Sequence, residues 1–89
     1  MLEPVYRGKF EKDLLKAIKR QKDLSKLKKI ILLLCEEQAL PLRNRNHKLS
    51  GEYNGYRECH IEPDWLLIYT KTKKELWLIR LGSHADLFR

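Results

Sequence analysis

The segment "WLLIYT" (residues 65–70) constrains the fold of this chain more than any other. Its apolar residues show no alternation with polar ones, so a strand here is buried on both faces or nearly so. The turn formers "PD" (63–64) and the charged "KTKK" (71–74) bound it, and "ELWLIRL" (75–81) follows as a further strand. Upstream, "YRECHIE" (56–62) alternates, with Tyr56, Glu58, His60 and Glu62 on one face and Arg57, Cys59 and Ile61 on the other. Links this short make an antiparallel meander with residues 65–70 in the middle.

A doubly buried strand needs cover, and the N-terminal half supplies it. Phe10, Leu14, Leu15 and Ile18 recur at helical spacing within "KFEKDLLKAIKRQ" (9–21). Leu24, Leu27, Ile31 and Leu34 mark a second helix, capped by Asp23 or Ser25 and stopped by Pro41. The short "QKD" link makes the two helices antiparallel neighbours. Residues 3–8 suit a first strand, and residues 41–55 read as a polar loop. In the tail "GSHADLFR", Ser83 and Asp86 have capping-box spacing. The sum is βααβββ, an α+β fold with a helical hairpin on a mostly antiparallel sheet. A chain of 89 residues makes one domain, 1–89, with a single thin core.

Residues 1–30 hold ten Lys or Arg against four acids, and residues 31–89 nine against eight. That asymmetry suits a polyanion such as nucleic acid, and a solvated helix surface accounts for it equally well. No apolar run approaches the length of a bilayer span, and the N-terminus has no signal-peptide h-region. The expectation is a cytoplasmic protein without a membrane partner. Cys35 and Cys59 lack CxxC spacing and read as buried reduced thiols.

The candidates for chemistry are few. His47 precedes the meander, His60 ends its first strand, and His84 follows its last. The topology permits His60 and His84 to converge without forcing it. Each histidine alone is commonly structural, and three with Asp64 and Arg57 nearby weaken that reading without overturning it. A zinc site from His47, Cys59, His60 and His84 is disfavoured, because adjacent strand residues point to opposite faces. The chain has no glycine-rich phosphate loop and no GxSxG.

Three separated blocks, "HKLSG" (47–51), "GYRECHIEPDWLLIY" (55–69) and "RLGSHADLF" (80–88), resemble the YafQ-like branch of the RelE/ParE toxin superfamily. The likeness spans the whole chain, and its variation at Glu58–Cys59 lies inside a strand. It implies a toxin of a toxin–antitoxin pair that cuts messenger RNA on the ribosome, with a cognate antitoxin, ribosomal RNA and mRNA as partners and no cofactor or metal. Carried over by position, the likeness places the site at His47, His60, Asp64 and His84. Arg57 takes the basic position and Phe88 the near-terminal aromatic one.

The chemistry suits those residue types. Metal-free RNA cleavage uses the substrate's 2′-hydroxyl, so it needs two proton-transfer groups and a cation for the phosphorane. His60 and His84 are the expected pair, assisted by Asp64, with His47 as a further acid, base or phosphate contact. Arg57 would stabilise charge, and Trp65 and Phe88 would stack on bases, although Trp65 suits the core equally well. The basic helices would face ribosomal RNA phosphate. Two alternatives stand beside this reading: a non-enzymatic ParE-like toxin acting on DNA gyrase, and a small basic nucleic-acid-binding module.

Overall fold

The computed structural model describes residues 1–88; Arg89, the last residue of the expected domain, lies outside the described residues. The strands β1 (Glu3–Tyr6), β2 (His47–Lys48), β3 (Arg57–Glu62), β4 (Trp65–Lys71) and β5 (Glu75–Gly82) form one sheet in the order β1-β5-β4-β3-β2. β1 runs parallel to β5, and the other neighbours are antiparallel. The helices are α1 (Gly8–Lys19), α2 (Leu24–Cys35) and the short α3 (His84–Leu87). The α+β class and element order are as expected, with β2 as an addition inside the predicted polar loop. A two-residue strand is too short to display alternation.

β4 sits at the centre of the sheet and is covered on both sides. Trp65, Leu67 and Tyr69 enter the helical layer with Phe10, Leu27, Ile30 and Leu34. Leu66 and Ile68 face the other way, toward Leu87, Leu49, Tyr53 and Tyr56. These five side chains, Trp65 to Tyr69, are at most 2% exposed. Each large one contributes about 1.5–3 kcal/mol by burial.

Two details of the helices differ from expectation. The inward stripe of α1 is Phe10, Leu14 and Ala17, whereas Leu15 and Ile18 are 63% and 49% exposed. Positions 10, 14 and 17 share a face by their 4 and 3 spacing, and positions 15 and 18 are rotated off it. α2 is capped by Asp23, whose carboxylate accepts the Ser25 N–H at 3.0 Å. It ends at Cys35, well before Pro41.

Both long helices close with a Schellman pattern. Lys22 N–H donates to Ala17 O and Gln21 N–H to Ile18 O, as Gln38 and Glu37 do to Leu33 O and Leu34 O. Gln21 and Glu37 take the left-handed position, at φ 59° and 57°. Neither is glycine, so the sequence carries no stop signal there.

Edge contacts bring α1 and α3 against the sheet. β1 pairs with β5 only as far as Leu78, and beyond it the Asp13 carboxylate accepts the Leu81 N–H at 2.9 Å. α3 begins with the predicted capping box of Ser83 and Asp86. The Asp86 carboxylate also takes Arg20 at 2.7 Å and Lys16 at 3.3 Å. It nests against Gly82, where a Cβ would lie 2.9 Å from Asp86 Cβ.

Two outcomes are expected. Gln21→Gly should raise the unfolding free energy measured by chemical denaturation by about 0.5 kcal/mol, because relief of left-handed strain exceeds the added unfolded-state entropy. The Arg20 hydrogen bond, then the Ser83 N–H, hold Asp86 well below the ordinary carboxylate range. Its stabilisation is complete above about pH 4 and is lost as pH falls through the depressed folded value. Denaturation of Asp86→Asn and the parent across pH should show a deficit at neutral pH that closes in acid.

Candidate active site

The site lies on the sheet face opposite the helical hairpin. Glu58, Ile68 and Arg80 form one cross-strand row, and His60, Leu66 and Gly82 form the next. Two bulges set this arrangement. The register shifts at Ile61, just after His60, and again at Ile79. Leu78 faces the helical layer, so simple alternation would return Arg80 to that layer. The extra residue at Ile79 turns Arg80 onto the histidine face instead.

His60 is nearly buried, and its orientation is fixed at both ends. Its Nδ1 lies 3.2 Å from Pro63 O, a carbonyl that only accepts, so Nδ1 carries the proton. The buried Asn44 donates to the His60 carbonyl at 2.7 Å. The Nε2 edge faces Glu58 Oε1 at 3.6 Å. His47 stands opposite Glu58 in the β2–β3 register. Its Nδ1 donates to Arg45 O at 2.7 Å, and its Nε2 lies 3.4 Å from Glu58 Oε2. Glu58, only 5% exposed, therefore stands between two imidazoles.

His84 opens α3 and meets Asp64 from the β3–β4 turn. Nδ1 of His84 donates to Asp64 Oδ1 at 2.6 Å, and the His84 backbone N–H reaches the same oxygen at 2.8 Å. These two bonds, the backbone one first, hold Asp64 below the usual carboxylate range. The His60 and His84 ring centroids are 5.7 Å apart, and those of His47 and His60 are 6.4 Å apart. All three histidines and Asp64 are thus drawn to one face.

The other expected residues divide. Phe88 stands edge-on to Tyr53 at 5.7 Å, half-exposed beside the site. Arg57 pairs with Tyr69 on the helical side of β3 and donates to Asn46 at 3.2 Å, away from the histidines. Trp65 is 2% exposed in the core with Lys22 over its ring, leaving little surface to stack on a base. Two side chains on the histidine face were missed by the sequence reading. Glu58 shares the period-2 face of His60 and could have been found by that alternation. Arg80, held by Asp13 at 2.7 and 3.2 Å and donating to Tyr53 Oη at 3.3 Å, is disguised by the bulge.

The set His47, Cys59, His60 and His84 is divided between the faces. Cys59 lies in the helical core, where burial pushes its thiol up to about 12. A different set could hold a metal: ligand atoms of Glu58, His60 and His84 all lie within 4.8 Å of one another.

Comparison with known proteins finds relatives along nearly the whole chain. A family described as "Bacterial toxin of type II toxin-antitoxin system, YafQ" matches residues 2–89. The chain is 46% identical over 84 residues to the mRNA interferase toxin YafQ of Escherichia coli K12, covering 93% of this chain and 91% of the relative. Among solved structures, a copper-bound mutant toxin from Helicobacter pylori superposes with a TM-score of 0.94 at 40% identity, covering 99% and 100% of the two chains. The toxin in the E. coli DinJ–YafQ toxin–antitoxin complex superposes at 0.90 and 44% identity, covering 99% and 98%. A fold matched end to end and a family match across nearly all its residues settle its kinship: this chain belongs to the YafQ family of type II toxin–antitoxin toxins.

Proposed function

We propose that this chain cleaves messenger RNA on the ribosome, using the RNA's own 2′-hydroxyl as nucleophile. One observation carries the reading: His60 beside buried Glu58, and His84 bonded to Asp64, meet on one face with their rings 5.7 Å apart. Such a pair suits the two proton transfers of RNA cleavage, each worth about 10²- to 10⁴-fold. Asp64 fixes the tautomer and the ring orientation of His84. Glu58 stands against the Nε2 edges of both His47 and His60, at 3.4 and 3.6 Å.

Arg80 is the cation for the phosphorane, because it shares the histidine face and Asp13 and Tyr53 hold it in place. Arg57, on the other face, is left to contact flanking RNA phosphate. Phe88 stacks on a base, while Trp65 supports the sheet from below. Exposed lysines of the hairpin, among them Lys9, Lys12, Lys28 and Lys29, provide salt-sensitive attraction to ribosomal RNA. A cation bound at the site would supply Lewis-acid polarisation of a phosphate oxygen. Glu58, His60 and His84 would hold it with the lone pairs that otherwise accept protons.

The neutralising partner is a cognate antitoxin whose acidic segment covers the histidine face or the basic helices. The E. coli relative was solved as a toxin–antitoxin complex, which supports that assignment. Among the described residues no helix is long and apolar enough to cross a membrane. A toxin of translating ribosomes works in the cytoplasm.

On programmed ribosomes, His60→Ala and His84→Ala should each slow cleavage by about 10²-fold or more while circular dichroism stays native. Full activity in the folded double variant would sink the assignment. A message with one 2′-deoxy nucleotide at the scissile position should bind and remain intact, and normal cutting of it would exclude 2′-hydroxyl attack. Arg80→Ala should lower the rate at saturating ribosomes by about 10²-fold, whereas Arg57→Ala should change mainly the affinity. The reverse pattern would return the charge-stabilising role to Arg57.

A further inference from the structure

We infer that basic side chains of the helical hairpin clamp the two chain segments carrying Asp64 and His84, with Arg20 on Asp86 setting the orientation of His84. The inference rests on the proposed role of His84 in proton transfer. Asp64 and His84 come from different strand ends, yet their 2.6 Å hydrogen bond requires those ends to keep a fixed relation. Each lies two residues from a carboxylate gripped by two cations of the hairpin. Glu62, before the Pro63–Asp64 turn, takes Lys22 at 2.7 Å and Lys26 at 3.0 Å. Asp86, beyond His84, takes Arg20 through both guanidinium nitrogens, at 2.7 and 3.3 Å, and Lys16 at 3.3 Å.

The need for a clamp follows from the size of α3. Four residues form a single turn, which has no stability of its own. Leu87 anchors one side of that turn in the sheet, and the capping box ties Asp86 to Ser83. Neither contact fixes the turn against α1; among the described residues it is the Asp86 carboxylate that joins the turn to α1 by ion pairs. Exposed ion pairs contribute little to global stability. Their effect on geometry is larger, since a 1 Å displacement of a reacting group can cost about 10²-fold in rate. The same geometry argues against these four cations as the chief RNA contacts, because each already has a carboxylate oxygen within 3.3 Å.

Arg20→Ala tests the clamp because it leaves the capping box intact. Its single-turnover cleavage at saturating ribosomes should fall about tenfold, with ribosome affinity within about twofold of the parent. The His84 Nδ1–H proton resonance should broaden or shift upfield as the bond to Asp64 loosens. Arg20→Lys should recover most of both, and Lys73→Ala, in the distant β4–β5 turn, should match the parent. A parental rate and resonance in Arg20→Ala would overturn the clamp, as would a loss confined to affinity. Should Arg20→Ala not fold, Arg20→Gln is judged by the same criteria. His84→Ala separates the two readings: normal cleavage by it overturns the catalytic role itself, whereas its inactivity beside a normal Arg20→Ala overturns only the clamp.

Discussion

Burial of β4 on both faces is the constraint from which the rest of the structure follows. A strand whose side chains are apolar on either side needs two covering layers, and 89 residues supply only one full layer. The helical hairpin takes the first face. The second receives the 49–56 segment and the single turn of α3, which shield Leu66 and Ile68. The cover ends there. At its margin β3 presents Glu58 and His60, and the end of β5 delivers His84. The histidine face is the more thinly covered of the two.

That margin must accommodate polar groups in a partly dry setting. Buried carboxylates and imidazoles are tolerated only when their polar atoms are partnered. His60 is held by Pro63 O, its backbone by Asn44, and Glu58 lies between two imidazole edges. Among the described residues no buried side-chain polar atom lacks a hydrogen-bond partner. The contacts that stabilise these side chains also fix the direction of each ring nitrogen, so packing and ring orientation have a common cause.

Charge follows a similar logic. The excess of lysine and arginine in the hairpin looks like a uniform basic surface in the sequence. In the fold it divides. Lys16, Arg20, Lys22 and Lys26 turn toward Asp86 and Glu62, while Lys9, Lys12, Lys19, Lys28 and Lys29 stay exposed to solvent. The first group joins layers of the protein, and the second is available to a polyanion. Their spacing along the helices does not separate the two roles; the position of two acids in the C-terminal half does.

The sequence by itself determined the strand meander, the α+β order, the capping box of α3 and the location of His60 and His84 at strand ends with Asp64 in a strand-connecting turn. Each is a local property: alternation, helical spacing, a breaker or a cap acts over a few residues. Tertiary structure decided the remainder. The ends of α1 and α2 depend on Gln21 and Glu37 accepting left-handed backbone, which no glycine announces. β2 exists only because β3 offers it a partner. Strand alternation makes Glu58 a neighbour of His60, but only β2 pairing makes it a neighbour of His47. Arg80 reaches the histidine face because the Ile79 bulge adds one residue to β5, whereas Arg57 lies on the other face by the plain alternation of β3. With a side-chain period of two, a single extra residue moves every following side chain to the other face. That register is settled between strands, so it could not be read along one of them.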